Sequence, residues 1–137
     1  MKKTRFLASL LLVLALVTAC APAAQEEAIL TVGSKLYTQS DLEALGTLSV
    51  DYTDKEGETT TYEGVLLSII LEDAGVADAS STVTFTAADD YQADMPIDEA
   101  VACINCIVAF DEDSLRMVMP EKSGKLQVKD VVTITAQ

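Results

Sequence analysis

The chain has 137 residues, half of them apolar, and a formal net charge of −13 from 9 cations against 22 carboxylates. That balance excludes nucleic acid as a partner, because phosphate binding is driven by clustered Lys and Arg that release counterions. Histidine is absent, which removes Ser/His/Asp and Cys/His nucleophile systems and the commonest transition-metal ligand.

Met1 to Arg5 carries three cations, and Phe6 to Val17 follows as a nearly unbroken apolar run. The run is shorter than the roughly 20 residues a permanent span needs, and it ends in small residues, which is the layout of a secretory signal. Val17-Thr18-Ala19-Cys20 resembles the bacterial lipobox. The expected organisation is therefore a cleaved signal peptide over 1–19, lipid on Cys20 with a tether to residue 27, and one domain over 28–137. The mature chain keeps six cations against 22 carboxylates, and its expected place is the extracytoplasmic face of a bacterial cell membrane, held there by lipid.

In chain order, Ala28 to Val32 reads as a first strand ending at Gly33. Ser40 and Glu43 have capping-box spacing for one short helix that Gly46 closes. Leu48, Val50 and Tyr52 alternate, Asp54 to Gly57 makes a turn, and Glu58 to Tyr62 returns, which predicts a β-hairpin. Gly64 to Ala74 has apolar residues at helical spacing, with Gly75 placed for a left-handed cap. Thr82 to Thr86 predicts a strand, Asp98 to Cys103 a helix, and Cys106 to Phe110, Leu115 to Met119 and Val131 to Thr135 further strands. The fold class expected is α+β, mainly β, with two or three short helices.

The order of these segments resembles the molybdopterin-binding domain of the sulfite oxidase type. The matching pieces are Thr61 to Leu67 running into Ala74-Gly75-Val76, then Val83 to Tyr91, then Leu115 to Pro120, and finally Lys125 with Val128 to Val131. The family pattern has Gly where Asp90 stands, Gly-Pro shortly before the Arg, and an aromatic where Asp130 stands. The resemblance implies mixed sheets and a site for an anionic pterin cofactor. Enzymes of this family ligate molybdenum through a cysteine upstream of the Gly-Val-Leu segment, and here the corresponding stretch, Leu45 to Gly64, has none.

Arg116, Lys122, Lys125 and Lys129 fall within 14 residues, in the segment where the family meets its cofactor. Arg116, Lys125 and Lys129 are thus the candidate anion or pterin site, with Arg116 suited to fork onto phosphate; the alternative is ordinary solvated charges around a turn. Cys103 and Cys106 read as two buried unreactive thiols or as a short structural disulfide, a reactive or metal-binding pair being the third alternative. Asp89, Asp90 and Asp94, and the run Asp111 to Asp113, read as solvated turns. The function expected is a non-catalytic binding or interaction module without metal, its partner a protein or a small anionic ligand. The alternative is a molybdopterin-binding oxidoreductase or electron-transfer component that retains the cofactor through Arg116 to Lys129. Lys2-Lys3-Thr4-Arg5 is not a twin-arginine signal, which favours the first.

Overall fold

The computed structural model describes residues 25–78 and 81–137. The expected signal peptide, Cys20 and most of the tether lie outside them. Nine strands and three short helices occur among the described residues, in the order β1 Leu30–Val32, β2 Lys35–Tyr37, α1 Gln39–Ala44, β3 Leu48–Thr53, β4 Thr59–Leu66, α2 Leu67–Asp73, β5 Thr82–Ala87, β6 Gln92–Pro96, α3 Ile97–Ala102, β7 Ile107–Asp111, β8 Ser114–Val118 and β9 Val131–Ala136. They form a five-stranded sheet, β2-β1-β9-β5-β6, and a four-stranded sheet, β3-β4-β7-β8. The α+β, mainly β architecture is the one the sequence predicts. No helix of the described residues is long and apolar enough to cross a membrane.

Period-two alternation decides which face each strand buries. Val83, Phe85 and Ala87 of β5 point into the main core with Leu30, Val32, Val131 and Ile134 of the same sheet. Val65, Val108 and Met117, aligned across β4, β7 and β8, close that core from the second sheet. The other face of the four-stranded sheet carries a smaller apolar cluster of Val50, Ile107, Ala109 and Val118, flanked by Leu48, Tyr52, Tyr62 and Leu66.

Four local expectations are corrected. The capping box belongs to Thr38 and Asp41, not Ser40 and Glu43: the Thr38 hydroxyl accepts from the Asp41 N–H, and Asp41 accepts from the Thr38 N–H at 3.0 Å. Ser40 donates instead to Glu26 at 2.9 Å. The helix expected from Gly64 begins only at Leu67, because Gly64, Val65 and Leu66 pair with Ala109, Val108 and Ile107. Tertiary pairing overrides a helical apolar pattern here. The other two misses are strands: three-residue β2 and β6, whose Ala93 and Met95 are buried on alternate positions of an acidic stretch. Gly75 does take the left-handed conformation (φ 71°) past the end of α2.

A polar link ties β2 to α2. Asp73 accepts from Lys35 and from the Tyr37 hydroxyl at 2.6 Å, and Lys35 lies 5.0 Å above the Tyr37 ring. The Lys35 ammonium, then the Tyr37 hydroxyl, hold the Asp73 carboxyl below its ordinary range. Burial, followed by the Asp73 hydrogen bond, pushes the Tyr37 phenol well above its usual range. A carboxyl depressed in the fold contributes stability in full above its unfolded value, near pH 4, and loses it as pH falls further. A phenol raised in the fold contributes in full below about pH 10 and loses it as pH rises. The urea midpoint is therefore expected to be flat from pH 6 to 8 and to drop in both directions. In Tyr37→Phe the contribution of residue 37 to the alkaline drop should vanish; an unchanged alkaline limb would contradict the assignment.

Candidate functional site

The segment joining β8 to β9 is pinned to the four-stranded sheet by backbone mimicry. The Gln127 side chain accepts from the Met119 N–H at 2.9 Å and donates to the Met119 carbonyl at 2.7 Å, as a neighbouring strand would. The Met117 N–H donates to the Val128 carbonyl at 2.7 Å, and the Tyr91 hydroxyl donates to the Lys125 carbonyl. These bonds bring a 3-10 turn at Gly124–Leu126, and Lys129 beyond it, beside the β3–β4 hairpin.

Between the two lies an open groove of about 680 Å³, lined by Tyr52, Lys55, Tyr62, Arg116, Gln127 and Lys129, with Asp54 and Glu58 at the hairpin turn. Arg116 stands on β8, on the same sheet face as Tyr62. Its guanidinium carbon is 4.7 Å from the Tyr62 ring centroid, and Nη1 donates to the Tyr62 hydroxyl at 2.9 Å and to Asp111 at 3.4 Å. The arginine side chain is only 12% exposed, and its Nε–H is buried with no partner. A buried donor without an acceptor costs about 1–3 kcal/mol, so an acceptor reaching Nε would recover that energy. The Asp54 carboxylate is engaged within its own turn, accepting from the Glu56 and Glu58 N–H groups at 2.9 Å.

Of the residues singled out from sequence, Arg116 and Lys129 share this groove. Lys125 and Lys129 line a smaller neighbouring one of about 320 Å³ with Asp89 and Tyr91. Lys122 is not part of the cluster; it turns away and pairs with Glu99 at 3.1 Å. Lys55, Tyr52 and Tyr62 were missed. Tyr52 and Tyr62 were legible as outward positions of the alternating hairpin, but nothing in sequence aligns Lys55 with a residue 74 positions away. Among the described residues, Lys55, Lys125 and Lys129 form no salt bridge, whereas Lys35, Arg116 and Lys122 do. Another groove, of about 600 Å³, is lined by Glu27, Glu112, Asp113 and Asp130 around Ile29, Phe110 and Val132, and no cation lines it. Size does not separate these two grooves; charge does, since cations line only the one at Arg116.

Asp89, Asp90, Glu112 and Asp113 stand in turns as expected, whereas Asp94 belongs to β6 and Asp111 ends β7. Glu112 and Asp90 take positive φ values of 47° and 68° there, and the second explains why the family pattern carries glycine at that position. The paired cysteines are a disulfide rather than two separate thiols: Cys103 at the end of α3 and Cys106 before β7 sit with Cα atoms 5.5 Å apart, within bonding range.

The sequence profile of the oxidoreductase molybdopterin binding domain matches residues 22–137. None of the curated proteins matches the chain by sequence. Among solved structures, the sulfane dehydrogenase SoxCD from Paracoccus pantotrophus is similar, with a TM-score of 0.65 at 18% identity over 80% of this chain. The match spans 37% of the SoxCD chain. Among the described residues the donors do not fit a molybdenum centre. The β3–β4 hairpin has no cysteine, the two cysteines of the described residues are bonded to each other, and no group of three metal-binding side chains occurs among those residues.

Proposed function

Because the chain belongs to the oxidoreductase molybdopterin binding domain family, we propose that it is a non-catalytic member, a membrane-anchored module that binds a small organic anion in the Arg116 groove. The observation that carries this reading is the convergence of Lys55, Arg116 and Lys129 with Tyr52 and Tyr62 on one groove. The cations supply charge-assisted donors, and the two tyrosine rings supply faces for a planar group. Molybdenum-dependent turnover of the family's kind asks for a cysteine in the stretch Leu45 to Gly64, which has none. Titration of the chain with phenyl phosphate, followed by calorimetry, tests the reading. Saturable binding at one site, tighter than inorganic phosphate, is expected; equal and unsaturable binding of both would overturn it.

A second reading, retention of a pterin for electron transfer, is favoured by the unpartnered Arg116 Nε–H, a donor of the kind a phosphate or pterin acceptor satisfies. It requires a metal ligand from outside the described residues.

Anchoring is part of the proposed function and rests on Val17-Thr18-Ala19-Cys20. Metabolic labelling with palmitate in a bacterial host is expected to mark the chain and to be lost completely in Cys20→Ser, with the unlabelled variant no longer sedimenting with membranes. Equal labelling of both forms would remove the anchor from the account.

A further inference from the structure

The disulfide lies at a cleft that shares no lining residue with the Arg116 groove. Cys106 is fully buried, whereas Cys103 is half-buried and lines the cleft, which makes Cys103 the more accessible residue of the pair. Ile104, inside the ring that the disulfide closes, is 86% exposed, the most exposed large apolar side chain of the described residues. Both residues line an open cleft of about 370 Å³ with Asn105, Pro120, Lys122 and Glu99, and Lys122 is held there by Glu99. The ring spans four residues. In the loop-entropy account, closing so short a loop constrains the unfolded chain less than closing a long one, so stapling alone explains this bond poorly.

We propose that Cys103–Cys106 is a thiol–disulfide exchange site that accepts electrons from an apolar dithiol, with Ile104 as the contact that seats it. One thiolate of the dithiol attacks Cys103 Sγ. The Cys103–Cys106 bond breaks, and the Cys106 sulfur leaves with the bonding pair and takes a proton. The second thiol of the partner then attacks its own sulfur in the mixed disulfide, releasing Cys103 as a thiol. The partner is oxidised to a disulfide by two electrons and the protein pair is reduced by two. Access decides which sulfur is attacked, since exchange requires in-line approach to it.

The full chain in detergent, quenched with N-ethylmaleimide and analysed by mass on the peptide containing both cysteines, tests this. In native buffer, millimolar dithiothreitol is expected to reduce the pair within minutes with circular dichroism unchanged. Reduction only in denaturant, or with loss of the fold, would overturn the proposal. In Cys106→Ser the remaining Cys103 should form a mixed disulfide with oxidised glutathione, and in Cys103→Ser the remaining Cys106 should do so at least 100-fold more slowly; equal rates would overturn it. Ile104→Asp should slow reduction by dihydrolipoamide at least fivefold and leave the dithiothreitol rate unchanged, and parallel slowing of both would remove Ile104 from the site.

Discussion

Gly64→Ala is expected to cost the domain about 3 kcal/mol or more, a large fraction of the roughly 5–15 kcal/mol that holds a domain folded, and to shift its urea transition far to lower denaturant. A Cβ at position 64 would lie 2.2 Å from the Val108 carbonyl oxygen and 2.5 Å from Ala109 Cα. Both are backbone atoms of β7, the strand that pairs with β4 at this point. No side-chain rotamer relieves such a contact, so the β4–β7 ladder must open. Leu66, Ile107, Ala109 and Val118, on the cluster over that ladder, would lose their packing with it. Gly46→Ala is the matching control for added volume, since nothing lies within 4 Å of a Cβ there, although its positive φ of 98° makes some strain unavoidable. The measurement is chemical denaturation by circular dichroism. A Gly64→Ala transition displaced no further than that of Gly46→Ala would contradict the close approach of β4 to β7.

The second large effect concerns binding. Lys55→Gln combined with Lys129→Gln removes two cations that no carboxylate among the described residues pairs with, from opposite walls of one groove. A charge-assisted hydrogen bond contributes about 1.5 kcal/mol or more, so each loss weakens an anion about tenfold and the pair about 100-fold. Both lysines hold surface positions, so the unfolding midpoint should stay within about 0.5 kcal/mol of the parent. Calorimetry with phenyl phosphate reads the first effect and denaturation the second. Affinity unchanged in the double variant would place the anion elsewhere. Arg116 is not used for this test because its guanidinium also packs on Tyr62, and its removal would mix binding with folding.

Period-two alternation made β3 and β5 readable, and β5 does bury every second side chain, whereas β7 was readable as a short continuous apolar run with Ile107, Val108 and Ala109 all buried. The start of α2 was not readable, because Val65 and Leu66 have helical spacing with Ile69 and Ile70 yet pair with β7 through contacts some 40 residues away. Short β2 is too brief to show a period. The capping residue was displaced by two positions: Ser40-x-x-Glu43 and Thr38-x-x-Asp41 overlap, and only the chain's entry angle from β2 chooses between them. Arg116 and Lys129, which line the proposed groove, were grouped from sequence because they stand in one stretch of it. Lys55 was hidden because its place opposite them follows from hairpin register, and Lys122, near them in sequence but not a candidate site residue, turns toward Glu99.

In the function proposed, this member of a molybdopterin-binding family binds an anion without a metal centre. The full chain, purified from a host competent for molybdopterin synthesis, is to be assayed for molybdenum by elemental mass spectrometry and for oxidised pterin by fluorescence. The account predicts both far below one equivalent per chain, in protein that still binds phenyl phosphate. One equivalent of molybdenum with one of pterin would contradict it.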